Sequence, residues 1–224
     1  MGAASKRETR RDAPATHERC LWAEGYTAVA GVDEVGRGAW AGPLVAAAVI
    51  MPPDQRVAGV RDSKLLSPAQ REALYEQILE AAVAWGVGMV EVHELDGRNL
   101  NRSVTLAMNR ALEQLDPPAD FALIDGRDLP GIICECKAVT DGDARCYSIA
   151  AASIVAKVWR DRLMVRLDQE YPQYGFARHK GYGTAQHRAA LEKYGPCPYH
   201  RMSFKPLQRL AQFRLDHSDS DASR

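Results

Sequence analysis

Thr27-Ala28-Val29-Ala30-Gly31-Val32-Asp33-Glu34-Val35-Gly36-Arg37-Gly38, followed by Leu44-Val45-Ala46-Ala47-Ala48-Val49-Ile50-Met51, is the stretch whose reading decides the fold. Thr27 to Asp33 and Leu44 to Met51 are short apolar or β-branched runs joined by a glycine-rich segment, the pattern of a β-hairpin. Downstream, Ser67-Pro68-Ala69-Gln70 supplies an N-cap, a proline at the first helical position and a capping-box glutamine. That predicts a helix to about Ala84. Trp85 to Val92 reads as a strand, Asn101 to Leu115 as an amphipathic helix, and Phe121 to Asp125 and Ile132 to Val139 as two further strands. Ser148 to Glu170 reads as a long helix, and Thr184 caps another that ends at Tyr194. Three early strands, then strands alternating with helices, predict an α/β layer fold on a mixed sheet.

The chain has 224 residues, 46% of hydrophobic type and 26% charged. A globule of this size buries roughly 70% of its unfolded surface and needs no disulfide or structural metal to stand. No apolar run reaches the ~20 residues of a membrane span, and the charged N-terminus lacks the apolar stretch of a secretory signal. None of the five cysteines forms a Cys-x-x-Cys pair. Cys134 and Cys136 alternate within the expected strand, which favours buried free thiols over a zinc knuckle. These features predict a reduced, soluble, cytosolic protein with no membrane partner; a monomer is taken as its state, though nothing in the residues decides it. Without an internal repeat or linker, residues 19–215 read as one domain between polar tails at 1–18 and 216–224.

Formal charge is zero, but it is unevenly spread: residues 151–215 carry twelve Lys/Arg against four Asp/Glu. Such asymmetry suits a protein that holds a polyanion on one side and gathers carboxylates on the other. Solvated helix faces would give the same count, so charge alone does not decide.

The carboxylates are more informative. Asp33-Glu34, the one pair of adjacent acids, ends an apolar strand. Neighbouring side chains on a regular strand point to opposite faces, so both serve one site only if the chain bulges or turns there. Asp125 ends Phe121-Ala122-Leu123-Ile124, and Asp141 and Asp143 follow the next strand. Strand ends side by side would bring three or four carboxylates together, each raising the others' pKa. A divalent cation relieves that repulsion, and an all-oxygen donor set suits Mg²⁺ or Mn²⁺.

Gly36-Arg37-Gly38 is not a phosphate loop, since neither Gly-Lys-Ser/Thr nor a helix follows. It is either a hairpin turn or exposed backbone able to approach a sugar, with Arg37 near a phosphate. Arg61-Asp62-Ser63-Lys64 places a hydroxyl, a lysine and free N–H groups ahead of the capped helix. His179-Lys180-Gly181-Tyr182-Gly183-Thr184 sets an aromatic ring between glycines beside two bases. That suits stacking on a sugar or base, the alternative being a core tyrosine.

Asp33-Glu34-Val35-Gly36-Arg37-Gly38 with Ala41-Gly42-Pro43 resembles the opening motif of the bacterial ribonuclease HII family. The resemblance continues through Asp62 to Ser67, Asn99, Ala107-Met108, Ile124-Asp125-Gly126, Gly142-Asp143 and Ser148 to Val158 with Arg160-Asp161. It ends with His179 to Thr184, His200-Arg201 and Ser203-Phe204, and spans about residues 28–206. It implies a ribonuclease H-like fold: a five-stranded mixed sheet flanked by helices, with a C-terminal helical extension. It implies a metal-dependent endonuclease acting on RNA–DNA hybrids and on DNA duplexes containing ribonucleotides, cut 5′ of single ribonucleotides to leave 5′-phosphate and 3′-hydroxyl ends. By motif position, Asp33, Glu34, Asp125 and Asp143 would be the catalytic metal ligands for Mg²⁺ or Mn²⁺. Gly36, Arg37 and Gly38 would sense the ribose 2′-hydroxyl and Tyr182 the deoxyribose beside the junction. Lys64, Asn99, Ser153 and Lys157 would contact phosphates. Two features bear on the match: Asp141 stands where lysine is frequent in the family, and Arg37 stands where the sister ribonuclease HIII family usually has lysine. A DNA-cutting nuclease of the same fold, or a silent hybrid-binding protein, are the competing readings.

Overall fold

The computed structural model describes residues 12–209. They cluster into two compact units, where the sequence reading expected one domain. The first unit takes the chain up to Val35, Val45–Met89 and Val104–Arg160; the second takes Gly36–Leu44, Val90–Ser103 and the chain from Asp161 onward.

The first unit is built on a five-stranded sheet. Its strands are β1 (Val29–Val35), β2 (Leu44–Ile50), β3 (Ala84–Val90), β4 (Phe121–Asp125) and β5 (Cys136–Val139), ordered β3-β2-β1-β4-β5. β1 and β2 pair antiparallel as the expected hairpin, while β1 and β4, and β4 and β5, pair parallel. The sheet is therefore mixed. Every residue of β2 is buried, the signature of a central strand covered on both faces.

Helix α1 covers Thr16–Glu24 and α2 covers Pro68–Ala81. The capping box at the start of α2 forms as the sequence predicts: the Ser67 hydroxyl accepts from the Gln70 N–H, and the Gln70 side chain accepts from the Ser67 N–H. Three short or medium helices follow: α3 (Val92–Asp96), α4 (Leu100–Leu112) and α5 (Gly142–Arg145). The long helix α6 runs Tyr147–Glu170, then come α7 (Phe176–His179) and α8 (Ala185–Tyr194). Thr184 caps α8 by accepting from the His187 N–H. No helix among the described residues is long and apolar enough to cross a membrane.

Ala47, Val49 and Met51 pack with Leu74, Tyr75 and Ile78 of α2 and with Ala150, Ala151, Ile154 and Val155 of α6. The approach of α6 to β1 is set by Gly31. A Cβ there would lie 2.0 Å from the Ser148 carbonyl carbon, so only glycine lets helix backbone rest directly on the strand.

The N-terminal expectation needs correcting. Within the anticipated tail 1–18, residues 12–18 are folded; residues 1–11, like the C-terminal tail, lie outside the described residues. Ala13 and Ala15 are buried, the Ala13 N–H donates to the Val60 carbonyl, and Glu18 is only 1% exposed. The Tyr147 N–H donates to the Pro14 carbonyl, and one Glu18 oxygen accepts from both the N–H and the hydroxyl of Ser148. The segment thus satisfies donors that the start of α6 would otherwise leave orphaned. A polar stretch reads as solvated when its partner lies 130 positions away. Glu18→Ala should lower stability by about 1–3 kcal/mol, because it strands a buried N–H, and a denaturant midpoint would register it.

The expected strand from Ile132 is shorter, and its cysteines are not buried as a pair. All five cysteines are free, with Cys134 half-buried and Cys136 exposed. β5 is an edge strand, and little covers its early face. Burial still pushes the Cys134 thiol up to about 11, which keeps it protonated and unreactive near neutrality.

Candidate active site

β1 and β4 run parallel with Val32 opposite Ile124, so Asp33 and Asp125 follow as neighbours at the ends of adjacent strands. The next strand end continues into the turn before α5, where the Gly142 N–H donates to Asp125 Oδ1 at 2.7 Å. A Cβ on Gly142 would lie 3.0 Å from that oxygen and 2.7 Å from the Ile149 side chain. Asp143 follows at once and is 5% exposed. Asp141, in the left-handed region at φ 53, stays exposed. The turn therefore separates the two acids that composition could not.

Asp33 is 7% exposed and its Oδ1 accepts from the Glu34 N–H at 2.7 Å. Its carboxyl is pushed well above the usual range, chiefly by burial, then by the charges of Glu34 and Asp125; a hydrogen bond from Ser153 works against this. Ser153 is itself buried, with Oγ 3.0 Å from Ser63 Oγ. Asp125 is raised by burial, opposed by the Gly142 N–H, raised again by Asp143 and lowered by Lys64. The Lys64 ammonium donates to Asp143 Oδ2 at 2.9 Å and lies 4.0 Å from Asp62. That hydrogen bond is the main reason its pKa is raised. Of the bulge or turn that would let Asp33 and Glu34 serve one site, the bulge is absent: the ladder runs unbroken through Asp33–Ala47, Glu34–Ala46 and Val35–Val45. The chain turns at Gly36 (φ 89) instead, one residue after the strand ends.

Among the described residues, no three His, Cys, Asp or Glu side chains are gathered closely enough to enclose a metal ion. The carboxylates form an open constellation of oxygen donors, one of them buried with like-charged neighbours and another balanced by an ammonium. This donor chemistry fits a hard divalent cation, whose charge would offset the repulsion. Lys157 lies one helical turn after Ser153 on α6 and is half-buried.

The second unit carries the glycine segment and Tyr182. Its Gly36–Gly38 turn is closed by the Ala39 N–H donating to the Gly36 carbonyl. Arg37 donates through Nη2 to Asn101 Oδ1 at 2.8 Å. Asn99 accepts the Asn101 N–H with its own side chain, so it caps α4. Sequence reasoning missed Asn101, and also Arg201, which is fully buried and donates to the Gly42 and Arg37 carbonyls. Arg201 stood in the quoted motif without a role; contacts with carbonyls 159 and 164 positions away leave no local pattern to read.

The glycine segment and the Tyr182 loop are joined. The Trp40 N–H donates to the Gly181 carbonyl at 2.8 Å, and the Arg201 N–H donates to the Trp40 carbonyl. Gly181 (φ 81) is required by contact as well as conformation, since a Cβ would sit 2.3 Å from the Ala41 carbonyl oxygen. Tyr182 is 37% exposed, which removes the core-tyrosine alternative.

Comparison with known proteins agrees with this architecture. The family model for ribonuclease HII matches residues 30–207. Ribonuclease HII of Roseiflexus castenholzii is 53% identical over 199 residues, covering 87% of this chain and 89% of the relative. That of Rhizobium meliloti is 50% identical over 196 residues, covering 87% and 90%. The crystal structure of ribonuclease H2 from Pyrococcus horikoshii OT3 matches with a TM-score of 0.72 at 29% identity, over 84% of this chain and 99% of that one. The mixed five-stranded sheet is thus of the ribonuclease H-like type, and a match running from β1 to the residues just past α8 leads to one conclusion: the chain belongs to the ribonuclease HII family, a ribonuclease H and an endonuclease.

Proposed function

We propose that this endonuclease hydrolyses the RNA strand of RNA–DNA hybrids and nicks duplex DNA on the 5′ side of single embedded ribonucleotides, leaving 5′-phosphate and 3′-hydroxyl ends. The observation that carries the reading is that Asp33 and Asp125 end adjacent parallel strands, with Asp33 buried and the charge of Asp143 raising the pKa of both. These three and Glu34 would hold Mg²⁺ or Mn²⁺. When bound, such ions supply Lewis-acid stabilisation of charge on the phosphoryl and leaving oxygens and lower the pKa of water.

The chain's own residues do the rest. The Gly142 N–H orients Asp125, Ser153 orients Asp33, and Lys64 neutralises Asp143 and offers an ammonium donor to phosphate. Asn99, Ser153 and Lys157 contribute phosphate contacts, Asn99 through its amide N–H groups, since its oxygen caps α4. Gly36, Arg37 and Gly38 read the ribose 2′-hydroxyl through the backbone of their turn, which is exposed at Gly38, making cleavage tolerant of sequence. The exposed ring of Tyr182 packs on the adjoining deoxyribose. The basic surplus after residue 151 supplies phosphate attraction. The chain acts as a cytosolic monomer with reduced thiols.

The test is a duplex with one ribonucleotide, incubated with and without Mg²⁺ or Mn²⁺. A single metal-dependent cut 5′ of the ribonucleotide, giving a 3′ end that a polymerase extends, is expected. Cutting in chelator, or equal cutting of all-DNA duplex, would overturn the reading. A finer comparison uses the α5 turn: Asp143→Asn should cost far more turnover than Asp141→Asn, since Asp143 faces Lys64 and Asp141 faces solvent. The reverse order would mean that the ligand assignment is displaced.

A further inference from the structure

The second unit contains three buried histidines that neither the carboxylates nor the glycine segment uses. His179 is 8% exposed, His187 0% and His200 1%. The His179 and His187 rings stack at 4.4 Å, and those of His187 and His200 are 5.2 Å apart. Phe176 meets both His179 and His187 edge-on, Tyr174 does the same to His200, and Trp40 tilts against His187.

Their hydrogen bonds fix every proton. His200 Nδ1 receives the Cys197 N–H at 2.9 Å; since a backbone N–H only donates, Nδ1 is an acceptor and the His200 proton is on Nε2. Nε2 of His200 is 3.0 Å from Nε2 of His187, which must then accept. The His187 proton is consequently on Nδ1, which lies 3.0 Å from the Tyr182 carbonyl oxygen and donates to it. His179 completes the set, donating through Nε2 to the Tyr174 carbonyl at 2.8 Å and accepting the Gly181 N–H on Nδ1 at 3.2 Å. All six ring nitrogens are used by three neutral imidazoles, and an added proton on any of them breaks a bond. Burial holds His187 and His200 neutral, pushing each down to about 4. The result is a clamp on both sides of one residue: the Gly181 N–H and the Tyr182 carbonyl are each held by a histidine.

We propose that His187 and His200 are positioning residues for Tyr182, forming an imidazole relay that pins its backbone so that the exposed ring is presented to the deoxyribose at the junction. This rests on the reading of Tyr182 given above. The titratable groups facing the relay are His179, Tyr174 and Cys197. The Tyr174 hydroxyl is committed to the Gly195 carbonyl, while the neighbouring arginines turn elsewhere, Arg188 over the Trp40 ring and Arg201 to the Gly42 carbonyl.

Long-range ¹H–¹⁵N NMR at pH 7 should find the proton on Nε2 of His179 and His200 and on Nδ1 of His187; any other distribution overturns the relay. His187→Phe keeps a ring but loses both hydrogen bonds. It should lower kcat/KM for nicking at a single ribonucleotide roughly 10- to 100-fold, as small misplacements do. His187→Asn, whose amide can still donate to the Tyr182 carbonyl, should restore most of that loss, and failure to do so counts against the relay even where the Phe variant does not fold. Added to Tyr182→Ala, His187→Phe should have no further effect on nicking. A silent Tyr182→Ala would defeat the junction reading itself. An impaired Tyr182→Ala beside a fully active His187→Phe, or losses that multiply in the double variant, would defeat the relay alone.

The same geometry sets a pH window. The folded-state pKa values lie below the ordinary value of 6.5, so the unfolded chain binds protons first as pH falls. The stabilisation is complete above about pH 6.5 and is lost toward pH 4. The gap in melting temperature between wild type and His187→Phe should narrow across that range; a constant gap would show that no neutral imidazole is being held.

Discussion

Asp33→Asn and Asp125→Asn should each abolish nearly all hydrolysis while leaving the fold and duplex binding intact. Loss of a partner behind a metal ligand typically costs 10–100-fold, so loss of a donor carboxylate itself should exceed about 10²-fold in turnover. The fold should not suffer. A carboxamide at position 33 keeps an oxygen for the Glu34 N–H, and one at position 125 keeps an oxygen for the Gly142 N–H. Each change also removes one of several carboxylates that repel one another, so the melting temperature should hold or rise. The checks are turnover on a single-ribonucleotide duplex in Mg²⁺, a thermal melt and anisotropy of labelled duplex. Turnover within a few-fold of wild type in either variant would remove that residue from the proposed ligand set.

Tyr182→Ala is the second large effect. The ring is 37% exposed, whereas the loop beneath it is held through backbone groups: the Gly181 carbonyl accepts from the Trp40 N–H, the Tyr182 N–H donates to the His179 carbonyl, and the Tyr182 carbonyl accepts from the Thr184 N–H as well as from His187. Truncation should therefore spare stability, in contrast to the ~3–5 kcal/mol of a buried aromatic deletion. Nicking at a lone ribonucleotide should fall by up to ~10²-fold through lost positioning. Tyr182→Phe, which keeps the ring surface, should be milder. A large fall in melting temperature with normal activity per folded molecule would return Tyr182 to a structural role.

Local signals carried most of the fold. The hairpin, the capping box at Ser67 and the Thr184 cap appear where the sequence puts them, because each is decided by neighbours within a few residues. Helix α1 did not announce itself, since what stabilises Glu18 is a helix start 130 residues on. The carboxylates were legible as strand-end acids, and Asp143 as a motif position. Their unbulged strand and the pairing of Lys64 with Asp143 were not, because both depend on register and on a turn in three dimensions. The separation into two units was invisible for a related reason: each is assembled from three stretches of chain, with no linker to mark a boundary.

That interleaving has a consequence for synthesis. Glu18 leaves the ribosome long before Ser148, and at ~5–20 residues per second the wait for those 130 residues is on the order of ten seconds. During it, the apolar strand β1 has β2 as an early partner but lacks β4, whose first paired residue lies 92 positions beyond Val29. Neither unit is complete until its third stretch has emerged, so no single cut releases either one whole. The nascent chain must therefore carry an unfinished apolar sheet for about half of its translation, from the end of β1 to the end of β5, and holdase chaperones should engage this interval rather than the released protein.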